Sequence, residues 1–175
     1  ASGAFFAFLG GGPFVASEVY GLSSFWSGVC LGAPAIGYAA GNYITGRFAV
    51  RFGINWMIRT GSLIAAAGMA IATVLTAAGF GSALLFFGFC VFVGFGNGLV
   101  MPNASAGMLS VRPHLAGTAS GLGGAIMIGG GAALSAFAGA VIQRGDANLR
   151  LLIIMTLTLA MGLISILYVS WREKQ

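Results

Sequence analysis

Very few side chains in this sequence can do acid–base, nucleophilic or metal chemistry, and they are widely spaced along the chain. The acidic residues are Glu18, Asp146 and Glu173, and the only histidine is His114. Paired carboxylates, a nucleophile beside a base, and a metal site all need several such groups close together. We therefore predict that the chain is not an enzyme, has no catalytic residues, and binds no metal ion or cofactor.

Two other patterns with chemical potential are weak in this sequence. Cys30 and Cys90 each lie inside an apolar stretch, without a partner at redox or metal-ligand spacing. We interpret both as small apolar side chains. The run Gly-Phe-Gly-Asn-Gly at residues 94–98 has the start of a dinucleotide-binding pattern, but no strand–helix–strand unit surrounds it. Neither pattern indicates redox or nucleotide chemistry.

The composition excludes a water-soluble domain. Apolar residues make up 58% of the 175 residues and charged residues only 6%, and there are 30 glycines. Soluble domains have about 25% charged residues, whereas abundant glycine suits membrane helices that pack through small side chains. The net charge is +5, but the basic residues never form a run, which argues against nucleic-acid binding.

The uncharged stretches between the charged residues predict the number of membrane spans. A span needs about 20 apolar residues, and the uncharged stretch 60–111 is long enough for two spans joined near Gly79. The sequence therefore predicts one all-α transmembrane bundle over residues 1–175, with six helices. Their predicted ranges are about 1–16, 25–46, 57–77, 82–102, 116–142 and 150–170.

The distribution of basic residues predicts the orientation, because cytoplasmic loops are enriched in Lys and Arg. One side of the predicted bundle carries two basic residues, Arg144 and Arg150, partly offset by Asp146. The opposite side carries six: Arg47, Arg51, Arg59, Arg112, Arg172 and Lys174. We therefore expect the C-terminus to be cytoplasmic.

Glycines spaced four residues apart predict close contacts between helices, because small residues let two backbones approach. The second span has two such pairs, and the fifth span has eight glycines in all. The helix-packing candidates in the fifth span are Gly117, Gly121 and Gly131. We expect an interface there at which helices slide or rock; for any single glycine, static packing is the alternative.

Two prolines are expected to interrupt their helices. Pro13 follows three glycines in the first span, and Pro34 lies inside the second. Interrupted membrane helices are tolerated where protein or a water-filled cavity covers the freed backbone groups. The pattern is typical of transporters, although signalling receptors have kinked helices as well.

Three parts of the sequence resemble the major facilitator superfamily of transporters. Residues 41–53, Gly-Asn-Tyr-Ile-Thr-Gly-Arg-Phe-Ala-Val-Arg-Phe-Gly, are similar to its Gly/Arg loop, in the form without the acidic residue that occurs in the C-terminal half. Residues 102–107 with 112–122 resemble the tenth-to-eleventh helix region, and residues 12–15 with 18–23 the end of the seventh helix. The resemblance is greatest to the bicyclomycin and chloramphenicol exporter branch (Bcr/CflA type).

This resemblance implies that the six spans are helices seven to twelve, and that an N-terminal six-helix half completes the transporter. It also implies that the first and fourth spans line the substrate cavity. The candidate cavity residues are Phe5, Phe6, Phe8, Phe86, Phe89, Phe92 and Asn97. An aromatic cavity with one amide suits a lipophilic, weakly polar drug. The alternative is that these rings pack in the bundle or face lipid.

The resemblance further implies a cytoplasmic gating loop and a place for the proton. The loop candidates are Gly41, Asn42, Gly46, Arg47, Arg51 and Gly53. Arg47 and Arg51 are expected to bind cytoplasmic helix ends or acidic groups and so hold the two halves together. For Arg51, simple anchoring at the membrane surface is an equal alternative. Proton coupling needs a titratable group within the membrane, and no carboxylate lies inside a predicted span. We therefore expect the proton site in the N-terminal half.

The expected function is proton-coupled export of lipophilic drugs by alternating access, as in a multidrug efflux antiporter of the bacterial inner membrane that confers antibiotic resistance. The expected partners are the lipid bilayer, the N-terminal half, a small-molecule substrate and protons. Two alternatives remain open. One is a facilitator for a sugar or organic acid, and the other is a non-transporting membrane scaffold subunit.

Overall fold

A computed structural model of the protein describes residues 2–111, 113–142 and 146–172. Nearly all of these residues are helical, and none of them forms a strand. The predicted all-α membrane fold is therefore confirmed. Four of the charged residues named above lie outside the described residues: Arg112, Arg144, Glu173 and Lys174.

A helical segment covers each of the six predicted spans. The helices are α1 (Ser2–Phe14) with a π-helical turn (Val15–Val19), α2 (Ser24–Leu31), α3 (Ala33–Phe52), α4 (Ile54–Leu75) with a π-helical turn (Thr76–Phe80), α5 (Ala83–Val111), a short 3-10 turn (Pro113–Leu115), α6 (Ala116–Ile142) and α7 (Ala147–Arg172). Helices α4 to α7 are each long and apolar enough to cross a bilayer. The second span consists of α2 and α3 together.

The two prolines in the first two spans mark changes in helix geometry, as expected. Helix α2 ends before Gly32 and α3 begins after it. Pro34 lies in the first turn of α3, where a backbone N–H would have no helical partner, so the missing N–H of proline costs no hydrogen bond. In α1 the helix continues through Pro13 and then widens into the π-helical turn. There, the Ser17 hydroxyl donates a 3.0 Å hydrogen bond to the Pro13 carbonyl.

Helices α3 and α4 are joined by a single residue. Gly53 has a φ of 85°, which a residue with a Cβ adopts only at a steric cost. Residues 41–46 belonged to the predicted second span and residues 47–53 to the loop after it, but of residues 41–53 only Gly53 lies outside a helix, because α3 extends to Phe52. The end of the bundle at which this turn lies is called the Gly53 end below.

The helices pack as two three-helix units. Helix α5 packs on α3 and α4, while α1 packs on α6 and α7, and α4 also contacts α7. Exchanging the first three spans with the last three turns the α3–α5 and α4–α5 contacts into the α1–α6 and α1–α7 contacts, and leaves the α4–α7 contact unchanged. Because the first three spans are odd in number, the last three start at the opposite membrane face. The chain therefore has the contact pattern of an inverted repeat.

Candidate substrate cavity

A cavity of about 350 Å³ opens between α1, α3, α5 and α6. Four of its lining residues, Ser2, Phe5, Phe6 and Leu9, share one face of α1, because steps of three, four and seven stay on one side of a helix. The other lining residues are Gly94, Asn97 and Met101 on α5, Leu31, Pro34, Ala35 and Tyr38 on α2 and α3, and Met127 on α6. The volume and the largely apolar wall are typical of small-molecule sites.

Asn97 is the buried amide on this apolar wall. Its side chain is only 4% exposed. Its Oδ1 atom is buried and accepts no hydrogen bond from any residue that the structure describes. Leaving a buried acceptor unpaired costs about 1–3 kcal/mol, so Asn97 is a residue of this wall with unused hydrogen-bonding capacity.

Close contact between the α3 and α5 backbones fixes the wall that carries Asn97. Gly94 lies against the Pro34 carbonyl, and Gly37 lies against the Val91 carbonyl. A Cβ at either glycine would overlap these backbone atoms. One turn of α5 therefore lies against the first turns of α3. This backbone contact fixes the rotation of α5 and with it the side of the helix on which Asn97 lies.

A buried polar cluster joins the same two helices nearer the Gly53 end. Pro102 lies inside α5 and has no N–H for the Gly98 carbonyl four residues earlier. The Thr45 hydroxyl donates to that carbonyl at 3.0 Å. The Asn103 amide donates to the Leu99 carbonyl at 2.7 Å and contacts Thr45 Oγ1 at 3.4 Å. Thr45 therefore replaces the helix bond that Pro102 removes.

The structure brings three of the predicted cavity residues together, Phe5, Phe6 and Asn97. Phe8 and Phe86 are fully buried in the hydrophobic core instead. The Phe8 ring meets the Phe87 ring edge to face, with centroids 6.2 Å apart. The predicted cavity residues Phe86 and Asn97 of α5 are therefore divided between the core and the cavity.

Phe89 and Phe92 do not line this cavity. Their ring centroids lie 5.6 Å apart, and the Cβ of Phe92 lies against Gly68 of α4. Phe89 packs against the core, whereas the Phe92 side chain is 42% exposed. A residue's spacing on α5 predicts its face but not which neighbouring helix covers it.

The predicted gating residues divide between buried and exposed positions. Gly41 is buried, and a Cβ there would overlap the Phe95 carbonyl of α5. The Asn42 amide donates to the Tyr38 carbonyl of its own helix at 2.9 Å. The exposed members of the set are Gly46, Arg47, Arg51 and Gly53. Neither arginine forms an ion pair with a carboxylate in the described part of the chain.

The three predicted packing glycines of α6 also differ in their surroundings. A Cβ at Gly131 would overlap the ring of Phe6, a cavity residue. At Gly117 and Gly121, no heavy atom of the described residues lies within 4 Å of the position that a Cβ would take. Of these three glycines, Gly131 is therefore the one with a close contact to another helix in the described part of the chain.

Comparison with known families decides the class of this chain. The family model described as Major Facilitator Superfamily matches residues 1–136. The chain belongs to the major facilitator superfamily. No curated protein and no solved structure matches it.

Membership of the major facilitator superfamily accounts for the fold. Its members are multi-pass membrane transporters. In this superfamily each six-helix half contains two three-helix units in inverted topology. The exchange of contacts between α1, α6 and α7 and α5, α3 and α4 has this form. The helices α1 and α5, which the resemblance implied as cavity helices, both supply residues to the cavity wall.

Proposed function

We propose that this chain is the C-terminal half of an exporter of lipophilic molecules, similar to the Bcr/CflA-type branch, and that the cavity between α1 and α5 binds the substrate. The proposal is carried by Asn97, a buried acceptor without a donor, on a wall of aromatic and aliphatic side chains. Such a site favours a molecule that is mostly apolar and carries an N–H or O–H group. A sugar or organic acid would need more polar groups than this wall offers.

The open face of α6 supports a partner half. At Gly117, Gly121 and Gly124, no heavy atom of the described residues lies within 4 Å of the position that a Cβ would take, although small-residue faces in membranes are suited to close helix contacts. An N-terminal six-helix half that packs on this face would also cover the open side of the cavity. The two halves would then rock about the cavity, which is the alternating access that the superfamily fold permits.

The test of the cavity uses the complete transporter and paired substrates. Each pair consists of a lipophilic amine or amide with an N–H group and its N-methylated analogue. We expect Asn97→Leu to weaken binding of the N–H compound about tenfold, the equivalent of one hydrogen bond, and to leave the N-methylated compound nearly unchanged. Binding is measured by competition against a fluorescent substrate in detergent.

The matched control is Asn148→Leu. The Asn148 amide contacts the Tyr20 hydroxyl at 3.3 Å, away from the cavity wall. This variant should not discriminate between the two compounds of a pair. Equal losses for both compounds in Asn97→Leu, or no loss, would show that Asn97 does not contact the substrate. Competition by sugars or organic acids but not by lipophilic amines would favour a facilitator.

Proton coupling is proposed to depend on the N-terminal half. The carboxylates that the structure describes, Glu18 and Asp146, are both exposed and lie at helix ends. In the complete transporter we expect Glu18→Gln to keep most of the efflux driven by an imposed pH gradient in vesicles. Neutralising a carboxylate within a span of the N-terminal half should abolish it. If Glu18→Gln alone uncouples efflux at normal protein levels, this half carries the proton site.

The proposed location is a bacterial inner membrane, with the Gly53 end and the C-terminus in the cytoplasm. The support is the excess of basic residues at that end, including Arg47, Arg51 and Arg59. A reporter enzyme that is active only in the periplasm, fused after Gln175, is expected to stay silent. A strong periplasmic signal from that fusion contradicts the orientation.

A further inference from the structure

A second recess lies on the other side of the bundle, between α4 and α7 near the Gly53 end. It measures about 410 Å³ and shares no lining residue with the cavity. Its walls are Trp56, Arg59, Thr60 and Leu63 of α4 and Leu163 and Leu167 of α7. Deeper in the bundle the two helices are joined by a 2.8 Å hydrogen bond between the Thr73 and Thr156 hydroxyls. This recess is called the α4–α7 groove below.

The groove is polar at one end and apolar along the rest. Arg59 is the sixth residue of α4, about 8 Å along the axis from its start, which is the level of lipid headgroups if α4 begins at the membrane edge. Thr60 follows it directly, whereas Leu63 and Leu163 lie farther from the Gly53 end. This division matches the headgroup and the acyl chain of a phospholipid.

The polar end of the groove is positively charged and is not neutralised by the described residues. Arg59 is exposed, and no ion pair or hydrogen bond joins it to any residue in the described ranges. None of the six lining residues is acidic. A phosphate would accept hydrogen bonds from the guanidinium group and from the Thr60 hydroxyl. The charge therefore favours an anionic ligand.

An aromatic side chain completes the headgroup end. The ring of Trp56 stacks on that of Phe52, with centroids 4.7 Å apart and planes 25° from parallel. Trp side chains are enriched at the membrane interface, where the indole meets headgroups on one side and acyl chains on the other. Leu63 and Leu167, 56% and 44% exposed, continue from this level as a surface open to lipid.

We propose that the α4–α7 groove binds one anionic phospholipid, with its phosphate on Arg59 and Thr60 and an acyl chain along the three leucines. The exposed apolar wall requires an acyl chain, which a free phosphate ion or an acidic peptide does not provide. Basic pockets between membrane helices on the cytoplasmic side are suited to acidic lipid headgroups. The proposal does not depend on the substrate of the cavity.

The experiment uses Trp56 as the reporter. The reporter background replaces every tryptophan except Trp56 with phenylalanine, which within these 175 residues means Trp26→Phe and Trp171→Phe. The full protein is reconstituted in phosphatidylcholine vesicles that contain increasing fractions of phosphatidylglycerol with brominated acyl chains, which quench indole fluorescence. The reference series contains brominated phosphatidylcholine. We expect half-maximal quenching at a fraction of brominated phosphatidylglycerol about fivefold lower than that of brominated phosphatidylcholine. This is the preference for anionic lipid that one basic residue near the membrane surface provides.

Three variants of this protein separate the groove from general surface charge. Arg59→Gln should abolish the preference, and Arg59→Lys should retain most of it, which excludes misfolding as the cause. Arg51→Gln removes one charge at the same membrane face but outside the groove, and it should retain the preference. Equal loss in Arg51→Gln and Arg59→Gln, or no preference in the starting protein, overturns the proposal.

Discussion

Two glycine-rich regions of the molecule differ in how closely another helix approaches them. One is the contact between α3 and α5, and the other is the first half of α6. On α3, Gly37 and Gly41 lie against the α5 backbone so closely that a Cβ would overlap it. On α6, no heavy atom of the described residues lies within 4 Å of the Cβ position at Gly117, Gly121 or Gly124. The same residue type thus forms a close helix contact in one region and an open surface in the other.

The difference separates two uses of small residues in a membrane. Between α3 and α5 the glycines permit a fixed backbone contact, which the Thr45 hydrogen bond to the Gly98 carbonyl reinforces. In the second half of α6, Gly131 meets Phe6 of α1, and Ser135 meets Gly10 of α1. The open glycines Gly117, Gly121 and Gly124 are therefore available to a partner.

The largest expected effect is a loss of stability when the fixed contact is forced apart. Gly94→Ala places a methyl group on the Pro34 carbonyl, an overlap between backbone and side chain that only a shift of α3 relieves. We expect the free energy of unfolding to fall by about 1–3 kcal/mol or more, measured by thermal denaturation in detergent. Gly121→Ala is the control and should stay within about 0.5 kcal/mol. Similar losses in both would remove the distinction between the two regions.

An intermediate effect is expected from the hydrogen bond that replaces the one lost at Pro102. Thr45→Val leaves the Gly98 carbonyl without its donor and should lower the free energy of unfolding by about 1 kcal/mol. The control is Thr158→Val, since the Thr158 hydroxyl bonds only to its own helix, at the Ile154 carbonyl.

A double-mutant cycle tests the cause of that loss. Pro102→Ala restores an N–H four residues after Gly98, so Thr45→Val should cost much less in the Pro102→Ala background. Both costs are measured by the same thermal denaturation. An equal cost of Thr45→Val in the two backgrounds would show that Thr45 does not substitute for the missing helix bond.

A substitution on the open face of α6 is expected to have the smallest effect on the stability of this chain. Its effect on transport is expected to be large. Gly121→Leu should change the free energy of unfolding by less than about 0.5 kcal/mol, because no heavy atom of the described residues lies within 4 Å of its Cβ position. In the complete transporter it should abolish efflux while the protein stays in the membrane, because the leucine holds the two halves apart. Gly121→Ala is the size control. Normal efflux by Gly121→Leu would show that this face does not pack against the other half.

The hydropathy pattern predicted the helices, whereas the cavity residues were implied only by the resemblance to a family. Six spans followed from the uncharged stretches, because the cost of a charge in hydrocarbon is set by the residue itself. The break at Pro34 also followed from local chemistry. By contrast, the predicted cavity set included Phe8, which the structure buries against Phe87, and Phe92, which lies against Gly68.

Thr45 and Asn103 were missed as partners for a related reason. The sequence signal was present, since Pro102 inside an apolar span must free the carbonyl four residues earlier. Nothing in the sequence indicates which helix supplies the donor, because Thr45 and Gly98 are 53 residues apart.

The sequence by itself determined that this chain lies in a membrane, where its helices run, and which faces of those helices carry small or aromatic side chains. These properties depend on residue chemistry and on the 3.6-residue period of a helix, which are both local. Only the tertiary structure decided that Gly94 is packed and Gly121 open among the described residues, and that Asn97 lies on the wall of an apolar cavity. Those facts depend on how each helix is rotated about its axis and on which other helix approaches it, and small residues permit several such arrangements.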